Sequence, residues 1–183
     1  MKKILLAFLI LQSQAYAQQE TRLQPKFDLQ ECKESLLLFD AFMNEVPVTE
    51  FASKHQLTNY KFSYRSPAMG LDNMWDLWIR EDSTVFLVMR GTTGDPKSLL
   101  ADFYCAMLPA QGEIRLNNQT TFSYKVAQHP EAAIHAGFLT SFAFIANDAQ
   151  PKIDSLYNIG YSQYIVAGHS QGGAIAFLIT SWL

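Results

Sequence analysis

The chain has 183 residues, with 14 Lys and Arg against 17 Asp and Glu, so its formal charge is −3. Charged residues make up 17% and apolar residues 49%, a composition typical of a globular domain that excludes a disordered acidic or basic tail. This charge balance lacks the positive field that neutralises phosphates, so we expect no nucleic acid as a partner. The length fits a single domain.

The N-terminus has the pattern of a secretory signal peptide. Lys2 and Lys3 precede the apolar stretch 4–11, and Ala15 to Ala17 form a small-x-small cleavage site. A stretch of this length is too short to cross a bilayer, which takes about 20 apolar residues. The sequence predicts a signal peptide over 1–17, one domain over 18–183, and a secreted protein (extracellular or periplasmic) without a stable membrane anchor. An N-terminal helix of the domain is the alternative.

The first predicted element of the domain is a helix that begins after Asp28. Asp28 is a suitable N-cap, and Glu31 lies at the position that completes a capping box. Apolar residues then recur every three to four positions, at Leu29, Cys32, Leu36, Phe39 and Met43. An exported protein permits a disulfide between Cys32 and Cys105, but two buried free thiols fit equally well, and both alternatives stay open.

The rest of the chain alternates between strand-like and helix-like patterns. Thr84–Met89 is a continuous apolar run, typical of a strand buried on both faces of a sheet. Further strands are predicted over 59–64, 75–79, 120–126 and 164–167. A short amphipathic helix on a mobile loop is predicted over 94–112, and two further helices over 137–157 and 174–179. The helix over 137–157 is expected to be kinked or broken at Pro151. This order of elements predicts an α/β fold.

The last strand runs directly into the sequence Gly168-His169-Ser170-Gln171-Gly172. A G-x-S-x-G sequence between a strand and a helix is typical of a nucleophile elbow, in which the serine lies on a sharp turn. Ser170 is therefore the predicted nucleophile, and the backbone N–H of Gln171 is the predicted first donor to an oxyanion. Among functional alternatives, a phosphate-binding loop is disfavoured because Ala174 replaces the required Lys, and Ser170 replaces the second Gly of a dinucleotide fingerprint.

A second oxyanion donor is predicted in residues 90–93, Arg-Gly-Thr-Thr, which follow the buried strand. An oxyanion hole combines the N–H after the nucleophile with one from an earlier loop, and this segment is placed to supply it. A plain turn at the end of a strand is an equally good interpretation of the position alone.

Four ordered blocks, FLVMRGTTGD, SLLADFY, IHAGFLTSF and YIVAGHSQGGAIA, resemble the class 3 lipases, which include fungal triacylglycerol lipases. The resemblance implies an α/β-hydrolase fold with a mostly parallel central sheet and helices on both faces. It implies ester hydrolysis through an acyl-enzyme on Ser170, with Thr92 and Gln171 as oxyanion residues, a lid over about 94–103, and lipid or small ester substrates. No metal or cofactor is implied, and His135 and His169 correspond to structural positions.

The sequence departs from this family in two respects. Gln171 stands where the family usually has Leu, a change that keeps the backbone donor. Thirteen residues follow Ser170, and none is acidic or His, although the family order is Ser, then Asp or Glu, then His. We therefore expect the triad Asp and His beyond Leu183 and, for the 183-residue chain, weak turnover, an exposed edge at the nucleophile strand and a tendency to aggregate. A non-catalytic remnant of a lipase is the alternative.

Overall fold

The computed structural model describes Leu23 and residues 26–43 and 47–183, so the predicted signal peptide lies outside the described residues. Thirteen helices and strands follow one another in this part of the chain. They are α1 (Leu29–Asp40), α2 (Val48–Lys54), β1 (Tyr60–Arg65), β2 (Trp75–Arg80), β3 (Thr84–Met89), α3 (Pro96–Phe103), β4 (Met107–Pro109), β5 (Gln111–Arg115), β6 (Thr121–Lys125), β7 (Ala133–His135), α4 (Ala136–Asn158), β8 (Gln163–Gly168) and α5 (Gln171–Trp182).

The central sheet is mixed and has the strand order β1-β2-β3-β8. The pairs β1–β2 and β2–β3 are antiparallel, whereas β3–β8 is parallel, with Thr84 opposite Gln163 and Met89 opposite Gly168. Parallel pairing, which was expected for most of the sheet, is therefore found in only one of the three described strand pairs. Short connections join β1, β2 and β3 and allow antiparallel neighbours, while the long crossover through α3 and α4 makes β8 parallel to β3.

Helices cover both faces of this sheet, as expected for an α/β-hydrolase. On one face, Leu38 of α1 and Phe51 of α2 pack against Trp78, Phe86 and Val88. On the other face, side chains of α4 and α5 pack against Leu77, Val85 and Leu87. Every residue of β3 is buried, which confirms the prediction of a strand covered on both sides.

The first helix is confirmed, but its buried face differs from the prediction. The Asp28 carboxylate accepts hydrogen bonds from the backbone N–H groups of Gln30 and Glu31, as an N-cap does. The buried residue is Leu38, whereas three residues of the predicted apolar stripe are exposed: Leu29, Leu36 and Met43. The spacing identifies a helix, but its packing against the sheet determines which face is buried.

Helix α4 continues through Pro151, so the predicted break is wrong. Proline removes one backbone donor, which leaves the carbonyl four residues earlier, at Asn147, without its helical partner. Asn147 and Pro151 both lie on the exposed side of the helix, where water can bond that carbonyl. No helix in the described part of the chain is long and apolar enough to cross a membrane.

The region after β3 contains more regular structure than the sequence predicted. Helix α3 confirms the predicted amphipathic helix, but β4 pairs with β7 and β5 pairs with β6 in two small antiparallel sheets. Only β6 among these four strands was predicted. Cys32 and Cys105 are free thiols, and Cys105 is exposed.

At the other end of the sheet order, β8 has β3 as its one neighbour among the described strands. The strand is half-buried along its length, and a groove of about 420 Å³ beside it lies between α1 and α5. Among the described strands, β8 therefore stands at one end of the sheet order.

Candidate active site

Ser170 lies on the sharp turn between β8 and α5. Its backbone has φ 55° and ψ −126°, a conformation that a residue with a Cβ rarely adopts. Such strain is characteristic of functional positions, and the strand-to-helix turn presents the Ser170 side chain to solvent. Ser170 is therefore an exposed residue in a strained conformation at a turn from a strand to a helix, and its role as a nucleophile stays a prediction.

The glycines on either side of Ser170 are required because backbone atoms approach them closely. A Cβ at Gly168 would overlap the carbonyl oxygen of Gly172, and a Cβ at Gly172 would lie 2.5 Å from the carbonyl oxygen of Met89. Gly173 is less crowded, since its Cβ would lie 3.3 Å from the Gly168 carbonyl oxygen. The turn therefore packs backbone against backbone, leaving no room for a side chain at Gly168 or Gly172.

The parallel pairing of β3 and β8 places the Arg-Gly-Thr-Thr segment at the same edge of the sheet as Ser170. Met89 and Gly168 are paired, so both chains leave the sheet side by side. A Cβ at Gly91 would lie 2.9 Å from the carbonyl oxygen of His169, which shows that the two turns are in contact. The N–H of Gln171 lies in the first turn of α5, where helix N–H groups have no helical partner.

A partly buried hydrogen-bond network connects the predicted oxyanion residues. The Thr92 hydroxyl donates to Oδ2 of Asp102 at 2.8 Å, and Nε2 of Gln171 donates to Oδ1 of the same carboxylate at 3.1 Å. Nε2 of Gln171 also donates to the carbonyl oxygen of Ser98 at 3.0 Å. The structure thus links Thr92 and Gln171 through Asp102, a residue that the sequence analysis did not identify.

A second set of contacts holds the Arg90 end of the same segment. The Arg90 guanidinium forms an ion pair with Asp72 at 3.0 Å and donates to Sδ of Met74 at 2.8 Å. The Thr93 hydroxyl donates to Oδ2 of Asp72 at 2.7 Å. Side chains therefore fix the segment on both sides of Thr92.

Helix α3 lies against the site and is packed on α4. Ser98 and Ala101 are fully buried, and the backbone of Gly137 in α4 approaches the Ala101 carbonyl so closely that a Cβ there would overlap it. The N–H of Gly137 also donates to the carbonyl oxygen of Tyr104 at 3.2 Å. The outer face carries exposed apolar side chains: Leu99, Leu100, Phe103 and Tyr104.

All four histidines have neighbours other than Ser170. His55 stacks on Phe51, His129 accepts from the N–H of Glu131, His135 accepts from the N–H of Phe138 as the N-cap of α4, and the His169 ring contacts Phe39. None of these contacts indicates a general base for Ser170.

Two carboxylates of the sheet region have shifted pKa values: Asp76 is buried in β2, and Asp82 is half-buried just before β3, at the end of that strand opposite to Ser170. Burial raises the pKa of the Asp76 carboxyl, an effect that the two hydrogen bonds from Arg65 oppose. Burial also acts to raise the pKa of Asp82, but the hydrogen bonds from Arg80 and Thr84 outweigh it and lower the pKa to about 2. These groups stabilise the sheet and do not contact Ser170. Among the residues that the structure describes, no group of three potential metal ligands is present.

The family profile described as Lipase (class 3) matches residues 86–183. This stretch contains the last four residues of β3, the Thr92 segment, α3 and the Ser170 turn, and it is more than half of the chain. The chain belongs to the class 3 lipase family. None of the curated proteins compared with it matches.

Solved structures of fungal lipases share the fold of this class 3 lipase family member. Lipase II from Rhizopus niveus is 22% identical with a TM-score of 0.57, over 82% of this chain and 53% of its own. A fungal lipase–inhibitor complex is 16% identical with a TM-score of 0.55, over 82% and 54%. The native Rhizomucor miehei lipase propeptide complex is 18% identical with a TM-score of 0.53, over 85% and 47%. The chain therefore spans about half the length of these lipases.

Proposed function

We propose that this protein is a serine ester hydrolase that cleaves acylglycerols or related carboxylic esters. Family membership and the α/β-hydrolase fold support this chemistry. The observation that carries the proposal is the strained, exposed Ser170 at the start of α5, beside the end of β3.

In the proposed reaction, the Ser170 hydroxyl attacks the ester carbonyl carbon and forms a tetrahedral intermediate. Its oxyanion accepts hydrogen bonds from the backbone N–H groups of Gln171 and Thr92, while the Thr92 hydroxyl stays bonded to Asp102. Collapse of the intermediate breaks the bond to the alkoxyl oxygen, which takes up the proton given up by the Ser170 hydroxyl and leaves as the alcohol, so that the acyl group stays on Ser170. Water then attacks the acyl carbonyl carbon, the Ser170 oxygen regains a proton from that water, and the carboxylic acid is released. The proposal assigns the nucleophile and both oxyanion residues and gives no histidine the role of base.

The natural setting of this proposal is outside the cell. The predicted signal peptide over 1–17 would deliver the domain to an extracellular or periplasmic space, where lipids and small esters are the substrates. The exposed apolar side chains on α3 give the protein a surface that is compatible with such substrates.

Replacement of Ser170 by Ala tests the proposal. We expect Ser170→Ala to abolish hydrolysis of p-nitrophenyl butyrate and labelling by a fluorophosphonate, because both require the hydroxyl as nucleophile. The matched control is Ser181→Ala, which removes an exposed hydroxyl from the same helix α5 and should leave both signals unchanged. Equal hydrolysis by wild type and Ser170→Ala, or a label on another residue, would contradict the proposal and favour a non-catalytic remnant.

A further inference from the structure

The Gln171 side chain is buried at the junction of α3 and α5. The residue is 2% exposed, and its amide nitrogen donates both to the Ser98 carbonyl oxygen and to the Asp102 carboxylate. Catalysis through the backbone N–H requires no particular side chain at this position. These two hydrogen bonds therefore need an explanation other than the oxyanion donor itself.

We propose that the Gln171 side chain is a positioning residue that clamps α3 to the start of α5 and, through Asp102, holds Thr92 in place for the oxyanion. The inference rests on the proposed function for its catalytic consequence. Asp102 is the central acceptor, because its two oxygens bond Gln171 and Thr92 separately. One carboxylate thus joins the segment after β3 to the helix that begins at the nucleophile.

Movement of α3 away from this position would break hydrogen bonds of two buried groups. The Gln171 amide and the Ser98 carbonyl would each lose a hydrogen bond, and buried polar groups without partners are strongly unfavourable. The close backbone contact between Gly137 and Ala101 would also separate. The clamp therefore makes α3 a fixed wall of the site, in contrast to the mobile lid that the family resemblance implies.

A fixed α3 has a consequence for the form of the substrate. A lid that opens at a lipid surface makes hydrolysis depend on aggregated substrate, whereas a fixed wall leaves the site equally accessible in solution. The clamp therefore favours dissolved, monomeric carboxylic esters. The rate with tributyrin should follow a single saturation curve through its solubility limit, without a jump when droplets form.

Hydrogen exchange tests the clamp without requiring any enzymatic activity. Gln171→Met keeps a side chain of similar length but removes both donors. We expect the amides of residues 97–103 to exchange about tenfold faster in this variant, since a lost hydrogen bond to a charged group is worth that factor or more. Residues 142–149 in the core of α4 serve as an internal reference, and Ser181→Ala is the matched control. Equal exchange of α3 in wild type and Gln171→Met, or equal acceleration in α3 and α4, would overturn the clamp.

Kinetics test the positioning of Thr92. With p-nitrophenyl butyrate, Gln171→Met should lower kcat about tenfold and leave KM within about twofold. The reason is that displacement of an oxyanion donor weakens binding of the transition state much more than binding of the substrate. The variant should also gain a rate jump with tributyrin as α3 is released. An unchanged kcat, or a wild-type jump at the solubility limit, would overturn the inference. Absence of hydrolysis by the wild type would contradict the proposed function, while hydrogen exchange would still decide whether the clamp exists.

Discussion

The two turns that meet at the site are held by different forces. The turn after β8 is fixed by backbone crowding, since Gly168 and Gly172 leave no space for a Cβ and Ser170 adopts a positive φ. The turn after β3 is fixed by side-chain hydrogen bonds from Thr92 and Thr93 to carboxylates. Both turns leave adjacent parallel strands at the same edge, so the difference lies in the local sequence and not in the position within the fold.

This difference predicts how each turn responds to substitution. The energy of steric overlap between backbone atoms rises steeply as the atoms approach, so substitutions at the crowded glycines should destabilise the whole fold. Hydrogen bonds contribute on the order of 1 kcal/mol each and are lost one at a time, so changes after β3 should be graded. Backbone crowding thus holds the proposed nucleophile in an all-or-none manner, whereas separate hydrogen bonds hold the proposed oxyanion residue in a graded manner.

The largest effect is expected for Gly168→Ala. Its new methyl group would overlap the Gly172 carbonyl, and we expect a loss of at least about 3 kcal/mol in the free energy of unfolding, measured with urea. Gly173→Ala is the matched control, because its Cβ would lie 3.3 Å from the Gly168 carbonyl oxygen, a tight contact that a shift of a few tenths of an ångström would relieve. The comparison between the turns fails if both variants are destabilised by the same amount.

An intermediate effect is expected from acid, which weakens the sheet at the end of β3 that lies opposite to the two turns. The pKa of Asp82 falls from 3.8 to about 2 on folding, so its stabilisation is complete above about pH 4 and is lost as the pH falls toward 2. This shift corresponds to about 2 kcal/mol of unfolding free energy. Urea unfolding between pH 5 and pH 2 measures this loss in the free energy of unfolding, and Asp82→Asn should remove the corresponding part of its dependence on pH. Identical slopes in the two proteins would refute the assignment.

The smallest effect is expected for Thr93→Val, which has nearly the same shape as the wild type. The variant loses the hydroxyl that donates to Asp72 and accepts from the N–H of Asp95, and we expect a loss of about 1 kcal/mol. Thr121→Val, at an exposed position of β6, should change the free energy of unfolding by less than half as much as Thr93→Val. A loss as large as that of Gly168→Ala would show that the turn after β3 is also all-or-none.

Much of the fold was predictable because its signals are local. The continuous apolar run of β3, the Asp28 cap and the strand before Ser170 each occupy a few consecutive residues, and all three were confirmed. The strand directions in the sheet were mostly predicted wrongly, and the small strands β4, β5 and β7 were not predicted. The β4–β7 pairing joins residues more than 20 positions apart, and both strands have only three residues, too few to show a period.

The candidate site was predictable in its backbone pattern but not in its side-chain network. The G-x-S-x-G pattern located Ser170 because the crowding of its turn requires glycine at fixed positions. Asp102 was missed because it bonds Thr92 and Gln171, which lie 10 and 69 residues away in the chain. A motif of a few consecutive residues does not indicate such contacts. The available signal was Gln171 itself, a polar residue where related sequences usually have Leu, which implies a buried partner.

The positive φ of Ser170 also bears on how this position would evolve. A side chain in this conformation carries a strain on the order of 1–3 kcal/mol, which glycine would not have. Selection for stability alone would therefore replace Ser170 with glycine. Serine is therefore retained at this position only while its hydroxyl is of use to the organism.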